Sequence, residues 1–154
     1  EMEATGADFQ PNVEPYRYVI RRQLLPQARV DVVRDWATRG VRPHALIDIS
    51  DGLASEVHHL CNRSGCGAVV HTAAVPVALE TRNAADLFGE DVDTYALFGG
   101  EDYELLFALP PGELARLDPE TFNVVGEVTA SGDVLAQTPE GQTIPLGTGG
   151  FKHF

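Results

Sequence analysis

The feature that most narrows what this chain can fold into is the run Ile47-Asp48-Ile49-Ser50-Asp51-Gly52-Leu53. Residues 44–48 are largely apolar and read as a buried strand, residues 49–52 as a polar turn. Residues 53–63 read as a helix with Leu53, Val57, Leu60 and Cys61 inward, stopped by Gly65. Strand, turn and helix in that order put the turn at the strand's carboxyl end, where α/β proteins build ligand sites. Two carboxylates three residues apart, flanking a hydroxyl, suit Mg²⁺, a hard cation that takes oxygen ligands and keeps waters beside substrate phosphates. A second reading stays open: Ser50 or Asp51 caps the free N–H groups of the helix. Capping accounts less well for Asp48, which ends an apolar strand where an uncompensated charge is costly.

The rest of the chain builds around this unit. Two short amphipathic helices precede it, over residues 16–25, ended by Pro26, and 31–39, ended by Gly40. After it come a strand at 67–72, a weak helix near 79–88, a helix over 93–97, and a central strand at 103–109 that follows Gly99-Gly100 and stops at Pro110-Pro111. A helical segment at 112–117 and short strands at 122–128, 134–137 and 143–146 complete the pattern, the last two joined by the turn Thr138-Pro-Glu-Gly141. Helices and strands mix without strict alternation, so the expected class is α+β: a layered domain with a mixed β-sheet packed by helices.

Charge removes several functions. Eleven basic residues stand against 23 acidic ones, a net charge of −12, which argues against a nucleic-acid or anionic-membrane surface. Seven arginines lie within residues 1–42, and the excess of acid lies beyond them. Cys61 and Cys66 have neither redox nor zinc spacing and read as small buried hydrophobes. No apolar run approaches the ~20 residues that span a bilayer, and no targeting signal is visible, so a cytoplasmic, reducing setting is expected. P-loop, dinucleotide-binding and nucleophile-elbow motifs are missing, and with the P-loop the lysine that would neutralise phosphates there, Lys152 of the tail being the one lysine, which leaves that task to metal ions.

A second acidic run, Gly99-Gly100-Glu101-Asp102-Tyr103-Glu104-Leu105, has no basic residue near it in sequence, none falling between Arg82 and Arg116. The expectation is that solvent or a cation relieves its repulsion, and that Asp102 and Glu104 share one face of an extended segment. A pocket shared with Asp48 and Asp51 and a set of solvated edge charges are both open. The tail, Gly147 to Phe154, would fray by default; alternatively, its aromatics fold back as a lid, with Phe151 stacking on a flat or cationic ring.

Taken together, Ile47-Asp-Ile-Ser-Asp-Gly-Leu53, Gly99-Gly-Glu-Asp-Tyr-Glu-Leu-Leu-Phe107 and Gly149-Gly-Phe-Lys-His-Phe154 resemble the C-terminal domain of the thiamine-monophosphate kinase family. That family lies in the ATP-dependent superfamily of aminoimidazole ribonucleotide synthetase and selenophosphate synthetase. The resemblance implies the C-terminal fold of that synthetase and direct transfer of the γ-phosphoryl group of ATP to thiamine monophosphate, with several Mg²⁺ ions. It further implies that Asp48 and Asp51 are Mg²⁺ ligands, Ser50 an ATP contact, and Glu101 and Phe151 contacts to the thiamine moiety. Relatives often carry Trp where Phe151 stands.

By the same resemblance, residues 1–15 are expected to be a linker from an N-terminal domain that supplies most metal ligands and a homodimer interface. Residues 16–154 would form the C-terminal domain, inactive alone. Two other readings stay open: a sister enzyme acting on another acceptor, and a non-catalytic module that binds thiamine phosphates.

Overall fold

A computed structural model describes residues 12–148, so the tail reading, Phe151 included, and most of the expected linker lie outside the described residues. The chain is α+β. A 3-10 turn, Glu14–Tyr16, leads into α1 (Arg17–Leu24). Then follow α2 (Val30–Arg39), β1 (Ala45–Asp48), α3 (Leu53–Ser64), β2 (Gly67–His71), α4 (Leu79–Phe88) and α5 (Val92–Phe98). The last four strands are β3 (Leu105–Ala108), β4 (Gly126–Thr129), β5 (Val134–Gln137) and β6 (Thr143–Pro145).

The strands form two sheets. One has the order β4-β2-β5-β6 and is mixed, because β2 and β5 run parallel while the other pairs are antiparallel. The other is a two-stranded antiparallel ribbon of β1 and β3, registered Ala45 to Ala108 and Asp48 to Leu105. Directly opposed residues share a face, so the ribbon has two apolar faces. Leu106, paired with Ile47, packs on the core formed by Leu53, Ala54, Val57 and Cys61 of α3 with Val70 and Ala136 of the mixed sheet. Leu105 and Phe107 turn the other way, onto Trp36 of α2, Val41 and Leu117. Trp36 is 3% exposed and its ring centroid lies 4.6 Å from that of Phe107, a tilted pair that adds ~1 kcal/mol to the burial itself.

Three expectations need correction. Residues 44–48 do not form a fully buried strand: β1 alternates half-buried and exposed residues, with Leu46 44% exposed, because it pairs with β3 alone. For the same reason β3 is a ribbon strand and not the centre of a sheet. It starts at Leu105, since positive φ angles at Glu101 (65°) and Tyr103 (51°) break the extended run expected from residue 103. The strand expected over 122–128 is confined to β4, Gly126–Thr129, while the helical segment expected at 112–117 is present as a 3-10 helix, Pro111–Arg116. The hairpin between β5 and β6 forms where Thr138 and Gly141 mark it, closed by Gly141 N–H donating to the Thr138 carbonyl at 2.9 Å.

Candidate functional site

Between β1 and α3 the chain turns through Ile49, Ser50, Asp51 and Gly52, and the geometry of Gly52 explains the local sequence. Its φ is +104°, a region closed to residues with a Cβ, and a Cβ there would sit 3.0 Å from the backbone carbon of Phe98. Phe98 ends α5, whose Leu97 is buried against the α3 core. On the facing segment, a Cβ at Gly100 would lie 2.8 Å from the Ser50 carbonyl oxygen. Two glycines from the two acidic motifs therefore let two backbones touch.

Main-chain bonds fasten the contact. Glu101 N–H donates to the Ser50 carbonyl at 2.7 Å, Tyr103 N–H to the Ile49 carbonyl at 2.8 Å, and Ile49 N–H to the Glu104 carbonyl at 2.8 Å. These bonds hold Glu101 and Tyr103 in left-handed conformations that cost about 1–2 kcal/mol each. From inside, the Glu56 carboxylate, 2% exposed, accepts from Asp51 N–H at 3.2 Å and from the Ser50 hydroxyl at 3.3 Å. Asp48 stands one strand step back, opposite Leu105. Asp48 and Asp51 are exposed and neither joins an ion pair among the described residues. Carboxylate oxygens are the donor type Mg²⁺ takes, so the chemistry of these two residues is compatible with that cation, with further positions left to water and phosphate.

The second acidic motif behaves differently from the sequence expectation. Glu104 is paired across 75 and 82 residues of chain: Arg22 Nη2 donates to it at 2.5 Å, Arg29 Nε at 2.6 Å, and Arg29 Nη2 bonds it as well. Proximity in sequence was the wrong measure of what an acid can pair with. The charge of Glu104 is thus met by arginines within the fold, and the positive φ of Tyr103 breaks the extended geometry expected between Asp102 and Glu104. Burial pushes the Glu104 carboxyl upward, but the hydrogen bonds and charges of Arg29 and Arg22 outweigh it and hold its pKa below the ordinary value. The same hydrogen bond to Glu104 raises Arg29. Asp102 is raised: protein crowds its carboxyl although the residue as a whole is exposed, the charge of Glu104 adds to this, and Arg22 opposes it.

A lowered pKa means stability present above the ordinary glutamate value of about 4.3 and lost as pH falls through the folded-state value. The network is about a third exposed, so screening reduces its worth to ~1 kcal/mol. Glu104→Gln is expected to melt about 2–4 °C below the parent chain near pH 7, the difference shrinking as pH falls through the lowered folded-state value. Parallel melting curves across that range would count against the assignment.

Of the residues singled out by sequence, Ser50, Asp51 and Glu101 meet at one junction, with Asp48 at its edge and Phe151 outside the described residues. Among the described residues no group of three or more His, Cys, Asp or Glu side chains is arranged to hold a metal ion. Sequence reasoning missed Glu56, although a signal was present: it is the one acid on the apolar stripe of Leu53, Val57, Leu60 and Cys61. It also missed Arg22, Gln23 and Arg29, for which no local signal exists. His58 donates from Nε2 to the Leu146 carbonyl at 2.7 Å while His59 is exposed.

The fold and junction define a class. Residues 6–137 match the family described as AIR synthase related protein, C-terminal domain, and the chain belongs to that family. Curated proteins similar to the chain include thiamine-monophosphate kinases. The one from Aquifex aeolicus is 39% identical over 98 residues, covering 63% of this chain and 31% of the relative. That from Escherichia coli O157:H7 is 32% identical over 146 residues, covering 89% of this chain and 42% of the relative. The chain thus spans less than half the length of these relatives.

Among solved structures, thiamine monophosphate kinase from Aquifex aeolicus superposes with a TM-score of 0.71 at 32% identity, over 90% of this chain and 43% of the other. AaThiL complexed with AMPPCP and TMP gives 0.72 at 31% identity, over 90% and 41%. Hydrogenase maturation protein HypE, 23% identical with a TM-score of 0.64 over 80% of this chain and 43% of the other, shares the fold.

Proposed function

We propose that this chain is the C-terminal domain of an ATP-dependent kinase that phosphorylates thiamine monophosphate to thiamine diphosphate. The observation that carries this reading is the main-chain junction that holds Ser50 and Asp51 beside Glu101. The first pair belongs to the phosphate side of the reaction and the last to the acceptor side. Asp48 and Asp51 would hold magnesium, which when bound supplies positive charge against the crowded phosphate oxygens. Ser50 contacts the nucleotide. The Glu101 carboxylate faces the cationic thiazolium ring, and Phe151 stacks on it. The acceptor phosphate needs no general base, so the chain's contribution is to orient the reactants and balance charge.

Two exposed aspartates are too few ligands for several metal ions, and relatives are more than twice as long. The reading therefore includes residues 1–15 as a linker to an N-terminal domain with further ligands, a homodimer when full length, and a cytoplasmic setting. Purified full-length protein is expected to convert thiamine monophosphate and ATP to thiamine diphosphate and ADP, and this chain alone to show little or no turnover. Failure of the full-length protein to form thiamine diphosphate would overturn the activity. Ordinary kinase rates from this chain alone would overturn its role as a partial site.

A further inference from the structure

We propose that Gln23 makes the acceptor site selective for a cation, by fixing the Glu101 carboxylate without neutralising it. This rests on the reading of Glu101 as the contact to the thiamine ring. Helix α1 presents Arg22 and Gln23 consecutively to the same acidic loop, and they treat its acids differently. Glu104 receives two guanidinium groups, from Arg22 and Arg29, so its charge is spent within the fold. Glu101 receives the neutral Gln23 amide, whose Nε2 donates to Oε2 at 2.7 Å, and it joins no ion pair among the described residues. Its backbone is already pinned by the bond to the Ser50 carbonyl and by a φ of 65°. The amide thus completes the placement of one carboxylate whose full negative charge stays available to a ligand.

Arg21 and Arg22 show that a guanidinium is readily carried on this helix. At position 23 it would form a charge-assisted, two-pronged pair with Glu101 and oppose an incoming cation. Residue type here therefore separates stability from recognition, which yields a test that a merely structural contact would not pass. In the full-length enzyme, Gln23→Arg is expected to leave the melting temperature unchanged or higher. It should raise KM for thiamine monophosphate roughly ten-fold, about 1.4 kcal/mol, and leave KM for ATP within about two-fold.

Gln23→Ala, which frees the carboxylate but keeps its charge, should give a smaller rise in the same constant. A substrate analogue with an uncharged ring should be insensitive to Gln23→Arg. Glu101→Gln serves as the reference. If it raises KM for thiamine monophosphate and Gln23→Arg does not, the role of Gln23 is overturned while the proposed function stands. If neither change has an effect, the reading of Glu101 falls as well. Equal increases in both KM values, with a lower melting temperature, would make Gln23 a structural contact and overturn the proposal.

Discussion

Asp51→Asn in the full-length protein is expected to lower turnover about 10²–10³-fold, equivalent to ~3–4 kcal/mol on the barrier, while shifting the melting temperature by no more than about 2 °C. The two effects separate because the side chain and the backbone of Asp51 have different partners. Its carboxylate is exposed and unpaired among the described residues, so nothing in the fold depends on its charge. Its N–H is held by the buried Glu56 carboxylate, and that bond survives the substitution. Asparagine keeps the shape of the turn and removes one negative oxygen from the donor set. Steady-state rates across a magnesium series, with melting curves on the same samples, make the measurement. A variant with unchanged turnover and unchanged magnesium dependence would remove Asp51 from the proposed metal site. The same comparison applies to Asp48→Asn.

The largest effect on stability is expected from Gly52→Ala. Two penalties add at this position. A φ of +104° is inaccessible to alanine without strain, and the new methyl would meet backbone atoms, Phe98 C at 3.0 Å and the Gly99 carbonyl oxygen at 3.1 Å. A clash with a side-chain tip can be relieved by a rotamer change, but α5 cannot retreat without exposing Leu97, which is 7% accessible. Strain and overpacking together come to about 2–4 kcal/mol, or roughly 6–12 °C in melting temperature for a chain of this size. Thermal or denaturant unfolding of this chain measures it directly. A melting temperature within about 2 °C of the parent would mean that the turn relaxes freely and that the two acidic motifs are not locked together.

The order of elements and most of the helices were legible because their signals are local. Apolar spacing marks α3, Gly40 and Gly65 stop their helices, and Pro26 ends the first. The α+β class and the mixed sheet follow from such elements. Strand partnership was not legible, because the sequence of β1 reads the same whether it lies inside a sheet or in a two-stranded ribbon. Asp48 and Asp51 stood out as acids flanking a hydroxyl between a strand and a helix, whereas the roles of Ser50 and Glu101 came from the family resemblance. Arg22 and Arg29 did not stand out, since what identifies them is a glutamate 75 or more positions away. The strain at Glu101 and Tyr103 was equally hidden, as neither residue advertises a left-handed backbone.

The junction between the two acidic motifs is sewn by peptide groups and not by side chains, and this has a consequence for how such a site can diverge. Every amino acid but proline carries the same amide and carbonyl, so point substitutions other than at Gly52 and Gly100, where a Cβ would meet the facing backbone, leave the spacing between the two loops almost untouched. The gap works as a fixed gauge: exchange of side chains can change the chemistry presented across it, whereas lengthening the reach requires inserting or deleting residues on either side of Gly52 or Gly100.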